Sequence, residues 1–174
     1  MRSSIIALPA LAWAVEGLNV SSPAPFTNCG TSIAEARARG CQVSVKDGRW
    51  LPPLCYDDAL DAQWVAMGWQ YFRDENGTTG TYSAAELKTG DIYEYFIDME
   101  AHLTHCAFGL KTMHNAYLTG QRPETLPSYI VEDEHVDHCL KFLSAYRKPI
   151  DGDSKITMVH LNPDGASSCY VPEA

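Results

Sequence analysis

Apolar positions recur at helical steps over several stretches of the chain and alternate over two short ones. Ser32-Ile33-Ala34-Glu35 is a capping box that opens a short helix over Ala34 to Arg39, which Gly40 stops. Gln42-Val43-Ser44-Val45 alternates as a strand does, and Lys46-Asp47-Gly48-Arg49 carries a turn signal. Pro52-Pro53 breaks the chain before Cys55. Asp57 or Asp58 caps a helix expected to run to about Trp69 or Phe72, and a polar loop spans Asp74 to Gly80. Ser83-Ala84-Ala85-Glu86 is a second capping box, and Gly90 ends its helix. Asp91 is expected to cap the longest helix, in which Tyr95, Met99, Leu103, Phe108, Leu110, Met113 and Leu118 follow at three- and four-residue steps up to Gly120. Pro123 and Pro127 mark a connecting loop, a second long helix runs from about Asp133 to Tyr146, and Ile156 to Leu161 reads as a strand. The pattern predicts a mainly α protein with a few short strands. Its two long helices should be antiparallel neighbours, because their connection is short.

At 174 residues the chain is long enough for a single domain with a real core, and 45% apolar with 20% charged residues is an ordinary globular balance. The net charge of −9 repels phosphates, and no basic cluster exceeds Arg147-Lys148, so nucleic acid is excluded as a partner. Arg2, the apolar Ile5 to Leu11 with Trp13, and Ala12-Trp13-Ala14 have the order of a signal peptide over residues 1–14. An uncleaved signal anchor or a buried N-terminal helix is the alternative. The apolar run is about half the roughly 20 residues of a membrane span, so no stable span is expected. Residues 15–28, with the Ser/Pro/Ala stretch from Ser21 to Pro25, form a linker, and residues 29–174 form the domain. Asn19-Val20-Ser21 and Asn76-Gly77-Thr78 are glycosylation sequons, and all six cysteines lie beyond the leader. These features place the chain in the secretory lumen or outside the cell.

The chemistry is concentrated in His102-Leu103-Thr104-His105-Cys106 and its echo His135-Val136-Asp137-His138-Cys139, which together hold four of the six histidines. In a helix, positions i and i+3 share a face, with the following cysteine on the same side, so each motif offers two imidazoles and a thiol. Packed face to face, the helices would gather four imidazoles, which favour copper, zinc, iron or nickel over calcium or magnesium. Taken singly, each histidine is as well explained by a structural hydrogen bond. Cys106 and Cys139 either form a disulfide that staples the helices, favoured by the oxidising compartment, or act as thiolate ligands. Cys29, Cys41, Cys55 and Cys169 pair in any of three ways. His114 falls on another face, and His160 reads as a strand histidine. Glu100, Glu134 and Asp137 are solvated charges or partners of a ligand imidazole. Tyr93, Tyr95, Tyr117 and Tyr146 read as packing residues. No phosphate-binding glycine loop, nucleophile elbow, H-E-x-x-H or EF-hand loop is present.

The doubled His-x-x-His-Cys motif behind an apolar N-terminus resembles the fungal UstYa-like family of mycotoxin biosynthesis proteins. The resemblance covers roughly Cys29 to Leu143, including Cys29-Gly30, Ala34 to Cys41 and Trp50-Leu51-Pro52-Pro53-Leu54-Cys55-Tyr56-Asp57. It implies a copper-dependent oxidoreductase of secondary metabolism that cyclises, hydroxylates or halogenates a peptide or other small molecule. It also implies that His102, His105, His135 and His138 are the metal ligands and catalytic residues, with copper ahead of zinc. The reading leaves room for a homo- or heterodimer. The alternative class is a secreted non-catalytic protein, such as a metal-binding or host-interacting effector.

Overall fold

A computed structural model describes residues 27–121, 125–145, 157–161, 163 and 167–169. The leader at 1–14, nearly all of the 15–28 linker, the Asn19 sequon and Tyr146 lie outside the described residues. The elements run α1 (Ile33–Ala38), β1 (Gln42–Ser44), β2 (Arg49–Leu51), α2 (Asp58–Ala66), β3 (Tyr71–Phe72), β4 (Thr81–Tyr82), α3 (Ala84–Lys88), β5 (Glu94–Ile97), α4 (Met99–Thr119), α5 (Ser128–Val131), α6 (Asp133–Ala145) and β6 (Thr157–His160).

One small domain results, about half helical, with more strand than a mainly α protein carries. Strands β1 and β2 form a hairpin, with Val43 opposite Trp50. A second, antiparallel sheet has the order β4-β3-β5-β6. Its existence corrects the sequence reading at one place. The expected long helix does not begin at Asp91, whose carboxylate instead pairs with Arg37 at 2.6 Å. Residues 94–97 form a strand in which Tyr95 and Ile97 are buried in alternation, opposite Val159 and Thr157 of β6. Aromatic and β-branched side chains favour that pleated, paired surface over a helical turn. Helix α4 starts only at Met99, where the Asp98 side chain accepts from the Ala101 N–H at 2.7 Å.

The local signals hold well elsewhere. Ser83 and Glu86 close a full capping box on α3. On α1 the Ser32 hydroxyl caps Glu35, whose own carboxylate reaches the Thr31 N–H at 2.8 Å. Asp57 caps α2, which stops at Ala66, short of the expected Trp69, because Gly68 turns left-handed there. The core packs Trp64, Leu87, Tyr95, Val43, Val45 and Trp50. Gly90 lies so close to the Trp50 indole that a Cβ would collide with the ring, and its φ is +73°. Two disulfides are formed, Cys29–Cys41 and Cys55–Cys169. Among the described residues no helix is long and apolar enough to cross a membrane.

Candidate metal centre

Helices α4 and α6 bring the two motifs together. His102 meets His138, with ring centroids 5.4 Å apart, and His105 meets His135 at 5.9 Å. The pairing runs in opposite order along the two helices, so they are antiparallel, as their short connection predicts. Within each motif the i, i+3 rings lie 6.5 Å apart. The Nε2 atoms of His102 and His138 approach to 3.3 Å. Two nitrogens bound tetrahedrally at about 2.0 Å from one ion would stand about 3.3 Å apart. His102 Nδ1 is buried and has no hydrogen-bond partner among the described residues.

Cys106 and Cys139 face each other from the two helices as free thiols, both buried. Burial raises both thiol pKa values, and at Cys106 the hydrogen bond with Cys139 raises it further. The disulfide staple favoured from the compartment is not formed in this structure, where both cysteines are free. Cys139 Sγ lies 3.7 Å from His135 Nε2.

The β1–β2 turn forms the floor of the site. Every residue from Val43 to Gly48 is buried, including the charged Lys46 and Asp47. This turn stays in the interior because its polar groups are matched there. The Asp47 carboxylate pairs with Lys46 and accepts from Ser44 Oγ at 2.5 Å and from the Tyr129 hydroxyl. Burial opposes its ionisation, but Lys46 and these hydrogen bonds hold its pKa down to about 2. Asp61, also buried, accepts from the Lys46 N–H at 2.8 Å and pairs with Lys88 at 2.8 Å. The Lys46 carbonyl lies 2.8 Å from His105 Nδ1, so that nitrogen carries the proton and Nε2 is left bare. Burial pushes His105 down to about 4. Burial and the nearby Arg49 do the same to His135, and burial with the His138 ring lowers His102.

The four imidazoles open onto a cavity of about 320 Å³, whose other walls include Arg49, Trp64, Tyr95, Ile97, Met158 and Val159. The donor set suits a borderline transition metal. Neutral imidazoles converge from two helices, one is oriented by a backbone carbonyl, and one buried ring nitrogen is unpartnered. Among the described residues no three His, Cys, Asp or Glu side chains already stand as a finished ligand set.

Other expected residues fall elsewhere. His114 is exposed on α4. His160 is exposed on β6, near Glu94 and Tyr93, and reaches the rim of the cavity. Glu100, Glu134 and Asp137 are exposed. Asn76 is exposed in a loop tied by the Asp74 carboxylate to the Thr78 and Thr79 N–H groups. Tyr93 and Tyr117 are exposed, and Tyr95 is core. Sequence reasoning missed Tyr129, Asp47, Lys46 and Arg49. Tyr129 sits on α5, inside a stretch read as loop, where Pro127 just ahead of Ser128-Tyr129-Ile130 was the available signal for a helical turn. Compared with protein-family models, curated proteins and solved structures, the chain finds no match.

Proposed function

We propose that the protein is a copper-dependent oxidase that tailors a peptide or other secondary metabolite in the secretory lumen, with His102, His105, His135 and His138 as the copper ligands. The observation that carries this reading is the convergence of four imidazoles, with His105 and His135 held neutral by burial, on one wall of a 320 Å³ cavity. A structural site would be closed by protein, whereas a catalytic one needs space beside the ligands. Imidazole-bound copper would supply one-electron redox chemistry, which zinc in the same cage could not. The chain's own residues contribute binding and order. The Lys46 carbonyl keeps His105 Nε2 available, and the apolar walls Trp64, Ile97 and Val159 border the cavity beside the rings. Two disulfides are compatible with a secretory-pathway protein.

The test is copper loading of the secreted protein, dialysis, metal analysis and electron paramagnetic resonance. Stoichiometric copper with nitrogen hyperfine structure is expected. His102→Ala and His138→Ala should each reduce retained copper strongly without unfolding the protein. Unchanged copper in both variants would sink the shared site, and retention of zinc alone would favour the non-catalytic, effector-type reading.

A further inference from the structure

We infer that Tyr129, tethered by Asp47, is the positioning residue of the histidine cluster, a wedge that fixes how His105 and His135 face each other. The inference rests on the metal-site reading above. Tyr129 is 3% exposed and sits on the single turn of α5, between the two motif helices. Its ring lies nearly parallel to the His105 imidazole, at 9° and 6.3 Å, and meets the His135 ring edge-on at 83° and 4.7 Å. One side chain thus touches an imidazole of each motif.

The wedge is itself fixed. Its hydroxyl donates to Asp47, and the Arg49 guanidinium stands 3.9 Å over its ring. Asp47 is anchored by Lys46 and Ser44 in the buried turn. The same turn supplies the Lys46 carbonyl that orients His105. Next to Tyr129, at the start of α5, the Ser128 N–H donates to the Ser168 carbonyl at 2.9 Å, beside the disulfide-bonded Cys169. Among the described residues His102 and His138 have no comparable frame. Their rings share the hydrocarbon ring of Phe142, at 5.0 and 4.7 Å, and their Nε2 atoms face each other. A cluster with one framed pair and one loosely packed pair needs the framed pair to set the geometry, and outer partners of this kind govern ligand orientation and metal affinity. Tyrosine suits the position better than phenylalanine because the hydroxyl gives the buried carboxylate a donor that the bare ring lacks.

The experiment uses the full secreted protein and the variants Tyr129→Phe, Tyr129→Leu and Asp47→Asn, with copper(II) alone as the probe. Affinity is read by chelator competition, folding by thermal melting, and imidazole state by ¹⁵N NMR of the metal-free protein. In the wild type, His105 should show a single tautomer protonated at Nδ1, with ring contacts from Tyr129 to His105 and His135. Tyr129→Leu should mix the tautomers and weaken copper binding about 10- to 100-fold while still melting cooperatively. Tyr129→Phe and Asp47→Asn should each weaken it about three- to tenfold. A folded Tyr129→Leu with wild-type affinity and unchanged histidine signals overturns the inference. If Tyr129→Leu does not fold, unchanged affinity and signals in Tyr129→Phe overturn it instead. A wild type that binds no copper, yet has ordered His105 signals that Tyr129→Leu abolishes, sinks the metal reading and leaves the positioning role standing.

Discussion

The β1–β2 turn and the seam between α4 and α6 meet at the same four imidazoles, yet different forces hold them. The turn is polar and buried, fixed by ion pairs and hydrogen bonds around Asp47 and Asp61, and its hairpin lies between the two disulfides in sequence. The seam is made of ring contacts, two thiols and an apolar pocket of about 10 Å³ bordered by Cys106, Leu110, Ile130, Val136, Cys139 and Leu140. Polar matching in a dry interior is directional and costly to break, whereas apolar packing tolerates small shifts. The turn therefore acts as a reference frame, and the seam is where the packing can adjust.

The largest expected effect breaks the frame from outside. Replacing both Cys55 and Cys169 with serine opens a connection of 114 residues, against 12 for Cys29–Cys41. Loop entropy alone makes that loss about 4.8 kcal/mol, compared with about 2.8 kcal/mol for the shorter loop. Urea unfolding of the two double variants should rank them in that order, and the reverse order would show that the C-terminal segment does not brace α5. Next comes Asp47→Ala, which strands Lys46 as a buried unpaired cation and should cost about 3–5 kcal/mol in the same measurement. A loss under about 1 kcal/mol would mean that water reaches the turn and that it is no frame. The smallest effect is at the seam. In the metal-free protein His105 and His135 titrate near 4, against an ordinary 6.5 in the unfolded chain. Between those values the unfolded chain binds more protons, so stability is full above about pH 6.5 and falls as the pH drops toward 4. By pH 5 His105 alone should lose about 2 kcal/mol of stability, and His135 adds less because it is partly screened by solvent. The loss is measurable as a falling melting temperature over that range, and a flat profile would contradict neutral, buried imidazoles.

Much of the site was legible from the chain itself. Spacing of i, i+3 and a short connection were enough to bring His102 to His138 and His105 to His135, because helix periodicity is local and strong. The capping residues Ser83 and Asp57 and the α6 segment were readable for the same reason. What escaped depends on tertiary partners. Tyr95 and Ile97 fit a helical period as well as a strand, and only pairing with β3 and β6 decides between them. Lys46-Asp47-Gly48 has the composition of an exposed turn, and it is buried because Asp61, Ser44 and Tyr129 satisfy it from distant positions. The cysteine partners were open among three pairings, which composition cannot rank.

The ring distances carry one more consequence. Matching the two motifs position by position exchanges His102 with His135 and His105 with His138, so the 5.4 Å contact corresponds to the 5.9 Å one. The two contacts thus match in place but not in ring orientation, at 43° and 81°, with Tyr129 and the Lys46 carbonyl beside one and Phe142 beside the other. Two motifs identical in their His and Cys positions therefore yield inequivalent histidines, and substitutions at corresponding positions will not behave as duplicates.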